Sequence, residues 1–409
     1  MIVRGDTLSK YDNKLSAAMK TTQKILVSCF LLIASHTFTC ILVIQLRERR
    51  NDRLHDFTHT FVRNLSQSSP CYVRVHVWCE EGVQRSPQKF ECPGLECGII
   101  FSQGVNYDSM KSSDAVVHVS YWDWSRVLKE RRPNQVLIFF TLESPKLTIH
   151  SMIPPRGYDR VYSYTMSYRP SSTIHSPYGF YDSTVPQLAI DDDRNWALGK
   201  TELVAWVSSK CNGKSPGGYR SWRRLEFVET LAKYVSVNMY GKCGNKECDD
   251  KEGGCWNFLK THKFYLALEN NECRDYITEK FWHNALLTDT VPIVYGPPRE
   301  DYERVAPPNS FIHLQDFKSF QELADYIKLV DSDDKLYNSF FEWKKLGTVR
   351  YMGAQLIHQP EFMCKVVSKL LDSEKKSRYC NQGIGEMNPS INEFLSASCF
   401  VPTGFPHDF

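Results

Sequence analysis

From Leu203 onward the chain alternates short apolar runs with amphipathic stretches: LVAWVSS, a helical stretch from Arg220 to Tyr234, VSVNMYG, KFYLALEN, the helical stretch YITEKFWHNALL, VPIVYG, and FIHLQDF before FQELADYIKLV. Strand and helix patterns repeating at this interval predict βαβ units and hence a parallel sheet. An earlier series, YVRVHVWC, GIIF, AVVHVSYW and QVLIFFTL, is also rich in strand patterns, and its last run is nearly continuous, as in a strand buried on both faces. The chain is therefore expected to fold as two facing Rossmann-like α/β lobes, 70–202 and 203–360, followed by a C-terminal segment, 361–409. Ligands would sit in the cleft outside the carboxyl ends of the strands.

The first 69 residues read differently. Ile25 to Ile44 form an apolar run of ~20 residues, the length of one bilayer crossing, with lysines before it and RERR after it. A cleaved signal peptide is disfavoured because the run starts late, is long, and lacks a small-residue cleavage site. The expected layout is a tail (1–24), a transmembrane signal-anchor (25–46) and a polar stem (47–69). Lys and Arg are balanced across the anchor, so charge does not set its orientation. The sequon Asn64-Leu65-Ser66 and the cysteine content place the body in an oxidising lumen, with Asn64 as a glycosylation site.

The sequence holds 14 cysteines, of which Cys29 and Cys40 fall in the anchor. The remaining even set suits disulfides. The pairs Cys92/Cys97 and Cys243/Cys248 could instead hold zinc, but no matching CxxC partner exists. The expected pairing keeps Cys364, Cys380 and Cys399 within the C-terminal segment and the Cys211 to Cys273 group around the second lobe. Net charge is +3, from 50 Lys and Arg against 47 Asp and Glu, too small and too scattered for a nucleic-acid surface.

Candidate chemistry gathers at Asp275 to Ala285. On a helix, Tyr276, Glu279 and Lys280 stand at i, i+3 and i+4 and share a face. Facing the cleft, Lys280 and the helix N-terminus would supply positive potential for a diphosphate, and Glu279 could accept from ribose hydroxyls. A solvated Glu-Lys pair is the bland alternative. In the first lobe, Glu143 of the run TLESP follows the apolar strand, where a carboxylate could be a general base or merely cap a loop.

The stretch from Phe264 to Phe317 resembles the donor-binding region of the α1,3-fucosyltransferases, whose pattern reads FYLAFENS, then DYITEKLWRNAL, then AVPVVLGP, then NYERFxPxxSFIHVDDF. The resemblance extends more weakly from Val73 to the C-terminal cysteines, and the cysteine-rich stretch Cys243 to Cys273 is similar to the invertebrate and core-type branch. It implies a GT-B type fold on a Golgi membrane, single-pass and type II, with a luminal body. It also implies inverting transfer of L-fucose from GDP-β-L-fucose to a GlcNAc-containing glycan, with no strictly required cofactor and Mn2+ or Mg2+ at most stimulatory. Carried over by position, Tyr276, Glu279 and Lys280 hold guanosine, ribose and phosphate, and Glu269 and Asn270 line the same site. Arg224 contacts the diphosphate, with Arg220 and Arg223 as surface charges. Glu143 becomes the catalytic base.

Three positions depart from the resembling pattern: Lys210 for Asn, Asn271 for the Ser of FENS, and His283 for Arg. Asn212 to Gly218 reads as a flexible loop. Asp191-Asp192-Asp193 could be the manganese motif of a GT-A transferase, but its polar setting favours a solvated acidic turn, and no metal ligand set is expected. A catalytically silent glycan-binding relative is the rival from another class.

Overall fold

The computed structural model describes residues 71–80, 84–120, 123–148, 154, 158, 160–211, 222–248, 255–353, 357–379, 390–396 and 398–400. The expected tail, anchor and stem, with Asn64, lie outside these residues, as do Arg220, the 212–218 loop and Cys380. Among the described residues no helix is long and apolar enough to cross a membrane. The chain divides into two compact units, Met1–Ser69 with Glu374–Glu386 and Pro70–Ser373 with Met387–Phe409, and the described strands belong to the second.

Among the described residues that unit carries two large sheets and one two-stranded sheet. The first contains β1 (Cys71–Trp78), β2 (Arg85–Phe90), β3 (Cys97–Gln103), β4 (Ala115–His118), β5 (Val136–Thr141), β6 (Tyr164–Ser167) and β7 (Ile174–His175), in the order β2-β3-β1-β4-β5-β6-β7. All neighbours are parallel except β2, an antiparallel edge strand. A short strand β8 (Gly179–Asp182) follows. The second sheet is wholly parallel, with β9 (Glu202–Val207), β10 (Val237–Tyr240), β11 (His262–Leu268), β12 (Val291–Tyr295) and β13 (Ile312–His313) in the order β10-β9-β11-β12-β13. Finally β14 (Thr348–Tyr351) returns to pair antiparallel with β8.

The unbroken apolar runs follow from burial on both faces. Along β11, Phe264, Leu266 and Leu268 enter one core with Trp206, Phe227 and Ile327, while Tyr265 and Ala267 enter another with Phe281 and Trp282. Successive side chains point to opposite faces, so covering both leaves no polar position in the run. Full burial of each large side chain contributes about 1.5–3 kcal/mol.

Five disulfides join described cysteines: Cys71–Cys97, Cys92–Cys364, Cys211–Cys243, Cys248–Cys255 and Cys273–Cys399. They replace the zinc alternative, because Cys92 and Cys97 bond to different partners. They also correct the expected pairing. Cys364 and Cys399 do not bridge within the C-terminal segment: the first is tied to the β2–β3 loop and the second to the turn after β11. An isolated antiparallel bridge, Cys273 with Cys399, accompanies the latter bond. The terminal helix Ile391–Ser396 packs its Ile391 and Leu395 into the first sheet's core beside Leu137 and Phe139.

Candidate functional site

β5 ends at Thr141 and β11 at Leu268, and the residues immediately beyond those two carboxyl ends meet. The turn after β5 is tight. The Glu143 amide donates to Thr141 Oγ1 at 3.1 Å, and the Ser144 carbonyl accepts from the amides of Leu147 and Thr148, which starts the short helix Pro145–Thr148. Ser144 is buried while Glu143 is exposed. The Tyr276 hydroxyl donates to Glu143 Oε2 at 3.2 Å, Asn271 Nδ2 donates to Ser144 Oγ at 2.7 Å, and Lys146 pairs with Glu272 at 3.6 Å. Among the described residues three side-chain links therefore join the two strand ends.

The geometry around Tyr276 differs from the expected helix. The helical segment is only Glu279–Trp282, with Thr278 as its N-cap, and Tyr276 precedes it outside any helix, its amide donating to the Cys273 carbonyl at 3.3 Å. Asp275 sits at φ 62, in the left-handed region. It is held there by Asp301, which is fully buried and accepts the Asp275 amide at 2.7 Å, Arg274 through two bonds, and Arg304 at 3.1 Å. Arg304 also donates to the Asp275 carboxylate. Tyr276, Glu279 and Lys280 thus do not share a helical face, and a single turn supplies no helix N-terminus for a phosphate. Tyr276 is buried under Tyr168, ring centres 5.1 Å apart, and beside Tyr178, whose hydroxyl donates to the Leu142 carbonyl. Burial, then neighbouring tyrosines and the charges of Glu143 and Glu269, push the Tyr276 phenol well above its usual range, so it acts only as a hydroxyl.

Glu269 is fully buried at the end of β11. Its carboxylate accepts from the Thr278 amide at 2.7 Å, the Thr278 hydroxyl at 2.9 Å and Lys280 Nζ at 3.1 Å. The other Lys280 donors reach Thr278 Oγ1 at 2.9 Å and Glu279 Oε1 at 3.0 Å, which uses the three an ammonium has. Burial works against charge on Lys280, but the two carboxylates outweigh it and hold the ammonium protonated, above its usual range. Burial pushes Glu279 up, and the adjacent Lys280 charge more than reverses this, leaving it below the usual carboxylate range. With Arg224 the cluster is two cations against two anions, so it lacks the strong positive potential expected from Lys280 alone. A diphosphate would have to compete with Glu269 and Glu279 for Lys280.

Arg224 opens the helix Arg224–Leu231, is buried, and donates from Nη1 to the Leu268 carbonyl at 3.1 Å. Trp222 anchors the same helix start through Nε1 to the Glu269 carbonyl at 2.8 Å. Arg223 is exposed and pairs with Glu226 at 2.6 Å. Asn270 is half-buried beside these groups and accepts from Asn271 at 3.3 Å. Gly296, at φ +144 after β12, permits the close approach, since a Cβ there would stand 2.6 Å from Glu269 Cβ. Sequence reasoning missed Thr278, Trp222 and Ser144. Only Thr278 had a readable signal, a Thr just before Glu at a helix start.

Among the departures, His283 stacks on Trp256 at 5.6 Å and lies against Tyr351 at 4.8 Å, and Lys210 is exposed. Asp192 is taken up by Arg194, first through side-chain hydrogen bonds, which pull its carboxyl down to about 2. Among the described residues no group of three or more His, Cys, Asp or Glu is placed to hold a metal ion.

Comparison with known proteins bears on these residues directly. The description "Glycosyltransferase family 10 (fucosyltransferase) C-term" matches residues 197–384, and "Fucosyltransferase, N-terminal" matches 74–179. The chain is 35% identical over 292 residues to the glycoprotein 3-alpha-L-fucosyltransferase A of Drosophila melanogaster, a match over 70% of this chain and 53% of that protein. It is 37% identical to a 3-galactosyl-N-acetylglucosaminide 4-alpha-L-fucosyltransferase of Homo sapiens, over 64% of this chain and 68% of that protein. The match thus spans about half of the Drosophila relative's length. A solved alpha1,3-fucosyltransferase with GDP-fucose is 17% identical, covers 76% of this chain and 92% of its own, and superposes with a TM-score of 0.47. The two family descriptions, covering both sheets and both strand ends that meet at Glu143 and Tyr276, establish that the chain belongs to glycosyltransferase family 10, the fucosyltransferases.

Proposed function

We propose that the protein transfers L-fucose from GDP-β-L-fucose to GlcNAc of a glycoprotein glycan in α1,3 linkage, with inversion, on a GT-B type scaffold. The observation that carries this reading is the meeting of Glu143 with Tyr276 beyond the carboxyl ends of parallel strands of two sheets, within the regions that match the family. Glu143 is exposed, at a strand end, and able to take the proton of an acceptor hydroxyl as that oxygen attacks the anomeric carbon. The bond to the diphosphate breaks in the same displacement. Arg224 and Lys280 stabilise the charge that grows on the departing GDP. Glu269 and Thr278 fix Lys280, and in this reading Glu279 and Asn270 serve the nucleoside and sugar hydroxyls. The name of the Drosophila relative supports a glycoprotein acceptor.

The topology is part of the same proposal: an anchor at 25–46, a luminal body in the Golgi, and glycosylation at Asn64. The disulfides at positions on both lobes support an oxidising compartment. The decisive experiment incubates the full chain, in detergent, with GDP-fucose and an array of GlcNAc-containing glycans, with and without EDTA. Transfer to a GlcNAc 3-hydroxyl that survives EDTA supports the reading. Loss of all transfer in EDTA would point to the metal-dependent alternative, and glycan binding without GDP release to a silent relative.

A further inference from the structure

We propose that Asn271 is a positioning residue for Glu143, acting through Ser144; this deepens the assignment of Glu143 as proton acceptor and rests on it. Glu143 is exposed and stands on a turn, where a carboxylate has rotational freedom. A base that drifts by about 1 Å loses on the order of a hundredfold in rate, so the turn itself must be held. Its backbone bonds stay within the first lobe: the Glu143 amide to Thr141, the Ser144 carbonyl to the helix that follows, and the Leu142 carbonyl to the Tyr178 hydroxyl. Among the described residues, the restraint from the opposite sheet comes through the three side-chain links above, of which one has both partners buried. That link is Asn271 Nδ2 to Ser144 Oγ, 2.7 Å long, between residues 127 positions apart that are 2% and 0% exposed. Lys146 to Glu272 is longer, at 3.6 Å, and Tyr276 binds the very carboxylate that must be available to the acceptor.

The identity of the residue matters. The resembling pattern has Ser at this position, and an Asn donor lies one bond farther from the backbone, which is the reach the Ser144 contact uses. Asn271 is itself oriented by Asn270 Oδ1 at 3.3 Å and backs onto Gly296, where a Cβ would lie 3.4 Å from the Asn271 carbonyl oxygen. The end of β11 thus sets the turn after β5, and the turn sets the carboxylate.

Asn271→Ala and Ser144→Ala, singly and together, test this in the full chain, each made with Glu143 intact and with Glu143→Gln. Turnover and GDP affinity are read separately. With Glu143 intact, each single change should lower kcat by about tenfold with GDP affinity within about twofold, and the double variant should be no slower than the slower single, because both remove one bond. In the Glu143→Gln background Asn271→Ala should cost nothing further. Ser144→Ala, which removes one atom, carries the test if Asn271→Ala fails to fold. Equal tenfold losses in both backgrounds, or weakened GDP binding at unchanged kcat, would overturn the inference. A Glu143→Gln enzyme with normal transfer, visible before Asn271 is touched, overturns the base assignment and this inference with it.

Discussion

Tyr276 and Glu143, 133 residues apart, are joined by a 3.2 Å hydrogen bond in which the tyrosine donates. That bond engages Oε2 and leaves Oε1 outside it, on a residue that is exposed. Replacing Glu143 with Gln keeps size and leaves the second sheet untouched. Turnover should fall by roughly a hundredfold or more, the scale of a lost general base, while GDP-fucose affinity stays near wild type. Steady-state kinetics with calorimetric binding reads both. Near-normal transfer with damaged donor affinity would make Glu143 a binding residue.

Lys280→Met should act on donor and fold together. Losing the cation should weaken GDP binding by about 1–3 kcal/mol for the lost charge-assisted contact. It also leaves Glu269 buried with Thr278 as its remaining partner, at a stability cost of about 3–5 kcal/mol. Burial already pushes Glu269 up, and without Lys280 it rises further. A carboxyl raised in the folded state is penalised above its unfolded pKa and relieved below it. The deficit against wild type should therefore shrink as pH falls from neutral through the carboxylate range. A deficit constant with pH in urea unfolding would show that Glu269 is not the strained group.

Two histidines of the first sheet make acid unfolding steep. Burial lowers His76 to about 4 and His118 to about 3, against a usual 6.5. The folded state keeps each ring neutral, whereas the unfolded chain protonates it below 6.5. Their contribution is thus fully present above pH 6.5 and is lost on acidification toward 4 and 3, at up to about 1.4 kcal/mol per pH unit for each. His76→Gln, able to keep a bond toward Ser102 or Gly104, should flatten the stability curve between pH 4 and 6.5. Parallel curves for variant and wild type would contradict this.

Much of the scaffold was legible because burial on both faces erases polar positions: β5, β11 and β12 read as unbroken runs. The edge strand β2, sequence RSPQKF, was invisible because it is polar, contains Pro87, and has no apolar face to announce it. The segment around Tyr276 was misread as helix because its residues fit that spacing. Its conformation is instead set by Asp301, which pins Asp275 in the left-handed region from 26 residues downstream. Individual site residues were nameable, but the contacts between them were not. Asn271 reaching Ser144 and Trp222 reaching Glu269 are products of sheet packing that no local pattern encodes.

The cysteine bonds give a direct check. Peptide mapping without reduction should recover Cys92 linked to Cys364 and Cys273 linked to Cys399. A Cys364–Cys380 peptide would restore the pairing expected from sequence. Cys92→Ser with Cys364→Ser should cost about 3–5 kcal/mol, since the bond closes a loop of 272 residues.

Those long separations set a timetable for synthesis. At about 5–20 residues per second, Cys399 is made roughly 6–25 s after Cys273, given their separation of 126. Cys71–Cys97, Cys211–Cys243 and Cys248–Cys255, separated by 26, 32 and 7, can close almost as soon as they emerge. Cys92 and Cys273 must wait as reactive thiols while nearer cysteines pass, so the nascent chain depends on thiol exchange to correct premature partners. The turn that carries Asn271 and Tyr276 is consequently among the last parts of the molecule to be covalently secured.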